Sequence, residues 1–162
     1  MKKIIYVIVG LLLSTNIFGQ TPLTLKISGE IPTPLQLTLK DIADMPHTTA
    51  ILKSKDGKSH TYRGVPLQII LSRAGATTSK AVHGKNLSKY LLVKCADGYE
   101  VLFSLAELDS NFTNKKIILA DSIEGKPLIK ARGPLRIIVP GEKKPARSCF
   151  QVTELIVNHA KD

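Results

Sequence analysis

Two Asp-Gly pairs, Asp56-Gly57 and Asp97-Gly98, stand between short runs that alternate apolar and polar residues, and they constrain this chain more than any other feature. Such pairs accept the backbone of a tight hairpin turn. Thr48 to Lys53 with Ser59 to Tyr62, and Tyr90 to Ala96 with Tyr99 to Phe103, are therefore predicted antiparallel hairpins. Further strands are expected at Leu23 to Ser28, Leu35 to Leu39, Lys116 to Ala120, Leu135 to Val139 and Phe150 to Val157. Pro32 and Pro34 disfavour helix between the first two and call for an extended link.

Little room is left for helices. Thr38 is a candidate N-cap for a short helix through Met45, with Asp41 at its third position. Pro66 fits the first turn of a helix running to about Ala74, stopped by Gly75, with Leu67, Ile70 and Leu71 along one stripe. Ser104 and Glu107 form a capping box for one more short helix. The balance is a β-rich α+β chain, without internal repeats or a linker.

The N-terminus carries its own message. Lys2 and Lys3 precede an apolar run from Ile4 to Leu13, and Ile17-Phe18-Gly19 precedes Gln20, the pattern of a cleaved export signal at residues 1–19. The run is too short for a membrane span, so no stable membrane insertion is expected. Residues 20–162 are then expected to form one domain, periplasmic or secreted. Loss of Lys2 and Lys3 lowers the formal charge from +10 to +8. Export argues against a nucleic-acid partner, as does the lack of a basic helix or an aromatic stacking platform. Anionic small molecules, anionic surfaces or an acidic partner protein suit the charge better.

Several chemistries lack their residues. Cys95 and Cys149 are the only cysteines; export permits a disulfide, but the alternation of Cys95 with Leu91 and Val93 favours a buried free thiol. His47, His60, His83 and His159 are scattered without metal-site spacing, so no metal ligands are assigned. No Gly-x-Ser-x-Gly elbow, dinucleotide fingerprint or Walker motif occurs.

What remains is a basic segment. Between residues 126 and 147 lie Lys126, Lys130, Arg132, Arg136, Lys143, Lys144 and Arg147, against Glu142 as the single acid. Within it, Gly133 to Gly141 places one arginine on an apolar strand between two turns, a frame for an oxyanion such as phosphate or sulfate. Arg136 reads either as a ligand or as one end of a structural salt bridge. The lysines beyond it read either as ligands or as a solvated face. Asp97 reads as a turn former rather than a catalytic acid.

Taken in order, Tyr62-Arg63-Gly64-Val65-Pro66-Leu67, Ala96-Asp97-Gly98-Tyr99 with Phe103-Ser104-Leu105, Gly125-Lys126-Pro127-Leu128, and Gly133-Pro134-Leu135-Arg136 running to Pro140-Gly141 resemble the molybdopterin-binding domain of the sulfite oxidase family, especially its short, exported members. The resemblance runs from about Leu25 to Val157. It implies a mixed-sheet α+β domain with a few short helices, whose loops bind a molybdenum pterin cofactor, with oxygen-atom transfer or a related reduction at the metal, and it allows for a redox partner protein.

The same resemblance points to site residues. Catalytic members place a cysteine ligand of molybdenum before the motif that reads Tyr62 to Leu67 here, and the nearest equivalent in this chain is Ser54. Arg136 matches the family's Pro-Leu-Arg position, while Lys143, Lys144 and Arg147 fall in the loop that approaches cofactor phosphate or substrate oxyanion. The candidate cofactor-binding set is thus Ser54, Arg136, Lys143, Lys144 and Arg147, and no catalytic residue is assigned. A serine hydroxyl is a harder and more basic donor than a thiolate, so the redox role stays open. The leading expectation is an exported oxidoreductase-type domain that binds a pterin or another phosphorylated anion. The rival is a cofactor-free periplasmic binding or interaction module on the same fold. Export predicts that the mature protein begins at Gln20; the intact mass of protein recovered from the exported fraction checks this, and a mass retaining residues 1–19 would refute it.

Overall fold

The structure, a computed structural model, describes residues 23–160. The expected export signal lies outside the described residues. Five strands form a first sheet in the order β2 (Leu35–Thr38), β1 (Thr24–Gly29), β10 (Val152–His159), β5 (Lys89–Cys95) and β6 (Glu100–Ser104). A second sheet runs β3 (Thr48–Lys53), β4 (Ser59–Pro66), β7 (Ile118–Ile123) and β8 (Lys126–Pro127), with β9 (Arg136–Ile138) also paired to β7. The β1–β10 pair is parallel and the others are antiparallel, so the first sheet is mixed.

Both Asp-Gly hairpins form, β3–β4 and β5–β6. The Thr38 hydroxyl accepts the Asp41 N–H and the Asp41 carboxylate accepts the Thr38 N–H, so the predicted cap starts helix α1 (Leu39–Ala43), which ends two residues earlier than the sequence suggested. Ser104 and Glu107 exchange the same pair of bonds, but only one 3₁₀ turn follows, Ala106–Leu108. Helix α2 spans Leu67–Arg73; Pro66 precedes it as the last residue of β4. Among the described residues no helix is long and apolar enough to cross a membrane.

The core lies where the two sheets and α2 meet. Ile27, Val93, Phe103 and Leu155 from the first sheet pack with Val65, Leu119 and Ile137 from the second and with Leu67, Ile70 and Leu71 of α2. Each large side chain so buried stabilises the fold by roughly 1.5–3 kcal/mol before ordering costs. The strand period of two sends Ile118, Ala120 and Ile138 to the other face of the second sheet. There they join Ala50, Leu52 and Tyr62 in a smaller apolar cluster. That smaller cluster underlies the basic face of the molecule.

Gly64 sets how closely β4 and β7 approach. A Cβ there would stand 2.2 Å from the Leu119 carbonyl oxygen and 2.4 Å from the Ala120 Cα. The β4–β7 register slips at the same place, leaving Asp121 unpaired in the ladder, and its carboxylate instead meets His47 Nε2 at 2.8 Å. The glycine of the Arg63-Gly64-Val65-Pro66 motif is therefore a packing requirement. Gly64→Ala is expected to destabilise the protein by about 2–4 kcal/mol in urea unfolding, whereas Gly57→Asn, at a left-handed turn position with open space around it, is expected to cost about 1 kcal/mol or less.

Candidate functional site

The two Asp-Gly turns and the basic loop converge. Lys53, Ser54 and Lys55 at the end of the β3–β4 hairpin, Tyr99 beyond the β5–β6 turn, and residues 142–146 line a cleft of about 950 Å³. Tyr99 donates its hydroxyl to the Ala146 carbonyl at 3.1 Å, tying the loop to the second hairpin. Asp97 accepts the Tyr99 N–H at 2.9 Å and so forms the turn, as expected.

Charge in this cleft is one-sided. Lys53, Lys55, Lys143 and Lys144 line it, and among the described residues none of them has a carboxylate within ion-pair range. Its one acid, Glu142, turns to Arg147, with contacts of 2.8 Å to Nε and 2.5 Å to Nη2. Arg147 also reaches Glu107 at 3.1 Å and lies over the Phe103 ring at 4.7 Å. Burial opposes its charge, but the bonds and charges of Glu142 and Glu107 prevail and raise its pKa. Arg147 thus anchors the loop and lines neither cleft of the site.

Arg136 defines a second cleft, of about 440 Å³, that meets the first at Ser54, Lys55 and Pro145 and adds Asp56, His60, Arg132 and Phe150. Arg136 as a whole is 5% exposed. Nη1 donates to the Tyr62 hydroxyl at 2.5 Å, while Nε and Nη2 donate to the Ser148 carbonyl at 3.3 Å. The Phe150 ring lies 4.0 Å from its central carbon and the Tyr62 ring 5.0 Å. The salt-bridge alternative is corrected here: no carboxylate pairs with Arg136 among the described residues. Burial lowers its pKa, since desolvation disfavours the cation.

The structure therefore brings Ser54, Lys143 and Lys144 into one cleft and Ser54 with Arg136 into its neighbour, and leaves Arg147 outside as the loop's clamp. Sequence reading missed Lys53, Lys55, Arg132, His60 and Phe150. The hairpin prediction implied where the first two lie, because they flank a turn that had to point somewhere. Nothing in sequence signalled that Phe150 covers Arg136.

A phosphorylated pterin fits this arrangement in charge and volume, with lysine ammonium groups to take the phosphate. A thiolate ligand for its metal has no counterpart. Cys95 and Cys149 are free, buried and absent from both clefts. The Cys149 thiol is pushed up, first by its hydrogen bond to Cys95 and then by burial. Among the described residues no group of three or more His, Cys, Asp or Glu side chains is placed to hold a metal.

Comparison with known proteins gives the same fold. The family whose model matches residues 15–144 is the oxidoreductase molybdopterin binding domain. That span includes Ser54, Arg136, Lys143 and Lys144 and excludes Arg147. The structure is similar to the sulfane dehydrogenase SoxCD of Paracoccus pantotrophus, with a TM-score of 0.64 and 24% identity over 83% of this chain and 37% of that one. The chain thus spans little more than a third of that protein's chain, and the likeness bears on fold. None of the curated proteins compared matches.

The buried cysteines generate a prediction. In the native protein both thiols are expected to resist Ellman's reagent and to react as two equivalents only after denaturation. Rapid reaction of the folded protein would contradict their burial.

Proposed function

Since this chain belongs to the oxidoreductase molybdopterin binding domain family, we propose that its lysine-lined cleft binds a phosphate-bearing anion of the molybdopterin class. The observation that carries this reading is the convergence of Lys53, Lys55, Lys143 and Lys144, none of them ion-paired among the described residues, around Ser54. Ammonium groups converging on a concave wall attract phosphate more strongly than a single one on an open surface. Tyr99 and Arg147 hold the loop that presents Lys143 and Lys144, so less ordering is left for the ligand to impose.

Molybdopterin, where the family uses it, supplies redox chemistry at molybdenum. Ser54 is the nearest equivalent in sequence to the family's cysteine ligand, and its hydroxyl is a hard donor that stays protonated at neutral pH unless a metal displaces the proton. We derive no oxygen-transfer step from these residues; their part is to bind and orient an anion. The N-terminal Lys2, Lys3 and apolar run suggest that this happens outside the cytoplasm, in the periplasm or after secretion. A cofactor-free binding module on the same fold is the second reading, favoured by the serine at position 54 and by two cysteines that stay out of the cleft.

The test uses protein made in a host that assembles and exports the cofactor, assayed for pterin fluorescence after acid oxidation and for molybdenum. Near-stoichiometric pterin is expected, with a loss of roughly tenfold or more in Lys143→Glu/Lys144→Glu, about 1.4 kcal/mol per factor of ten. Ser54→Cys is expected to raise the molybdenum-to-pterin ratio. A folded wild-type protein without pterin, beside a catalytic relative loaded in parallel, would refute the proposal and support the cofactor-free module.

A further inference from the structure

The outer edge of β3 borders a second groove, next to the anion cleft and sharing Lys53 and Lys143 with it. Beyond the Lys53–Ser59 pair, the Ser54 N–H donates to the Lys58 carbonyl at 2.8 Å. Hydrogen-bonded pairs alternate along an antiparallel ladder, so Leu52–His60, Ala50–Tyr62 and Thr48–Gly64 face each other with bonds made. The N–H and C=O groups of Thr49, Ile51 and Lys53 then point away from β4. Among the described residues no strand pairs with that side. All three residues are exposed, Ile51 by 59%.

An open strand edge of six regular residues is unusual unless something covers or blunts it. β3 has neither proline nor bulge. It borders instead a groove of about 820 Å³ whose far wall is 114–116 and 140–143. Lys53, Lys115, Lys116 and Lys143 line this groove, and its one acid, Glu142, is occupied by Arg147. Four lysines beside the edge repel a second copy of this chain, which would bring the same four. The same charges attract an acidic strand.

We propose that the β3 edge binds an extended acidic segment of a partner protein by strand addition. Its backbone continues the ladder through Thr49, Ile51 and Lys53, its carboxylates face the lysines, and an apolar residue covers Ile51. The backbone bonds supply affinity for any extended chain; the lysines choose among them. This surface shares Lys53 and Lys143 with the anion cleft, whereas Lys115 and Lys116 lie outside that cleft and distinguish the two.

Amide hydrogen exchange followed by NMR on the full chain tests the proposal, with a capped Glu-Val-Glu-Val-Glu-Val peptide as probe and Lys-Val-Lys-Val-Lys-Val as control. The Thr49, Ile51 and Lys53 amides are expected to exchange freely in the protein alone and to slow by roughly tenfold or more with the acidic peptide only. Lys115→Glu/Lys116→Glu is expected to remove that protection. Ile51→Pro deletes an outward N–H while sparing the bonds to β4, and is expected to block the peptide; if that variant fails to fold, the double lysine variant carries the test. The proposal is overturned if the acidic peptide protects none of the three amides or the basic peptide protects them equally. Protection already present in the free protein, from residues 1–22 or from a second copy, overturns it as well.

Discussion

A buried guanidinium that no carboxylate pairs with among the described residues sets the terms for the basic face of this protein. Burying an isolated charge costs several kcal/mol even after relaxation, so Arg136 has to be held by other means. The Tyr62 hydroxyl and the Ser148 carbonyl take its N–H groups, and the rings of Tyr62 and Phe150 cover its faces. These contacts join β4, β9 and the chain entering β10. They also leave the positive charge unneutralised at the wall of a cleft, where an anion would offset the cost.

Acids are distributed to the same effect. Glu107 and Glu142 are both committed to Arg147, which pins the loop without competing for a ligand. The lysines on the cleft side have no acidic partner among the described residues. One face therefore divides its work between an arginine that holds the loop and lysines free to meet a ligand, and Tyr99 fixes their relative position through a backbone carbonyl. The family to which this chain belongs is a molybdopterin binding one, and a pterin-type anion is the class proposed for such a cleft.

Local chemistry made much of this readable from sequence. Asp56-Gly57 and Asp97-Gly98 marked both hairpins, and Thr38 with Asp41 marked a helix start, because each signal lies within four residues of what it specifies. The two-residue β8 and the parallel β1–β10 pairing had no such signal. The second joins residues more than a hundred positions apart, and register at that distance is settled by packing. Among the candidate site residues, the resemblance selected Lys143 and Lys144, which do share a cleft with Ser54. It could not separate them from Arg147, whose two acidic partners are fixed only by the tertiary fold. The salt bridge considered for Arg136 failed for the same reason: its partners are an aromatic hydroxyl 74 positions away and a backbone carbonyl, neither visible in a charge pattern.

The account rests on the lysine-lined cleft being the place where a phosphorylated pterin sits. A crystal structure of protein purified with its pterin in place measures that directly. Phosphate density between Lys53, Lys55, Lys143 and Lys144, with Ser54 facing the same ligand, is the result expected; density for the pterin elsewhere on the molecule, with this cleft holding only solvent, would contradict it.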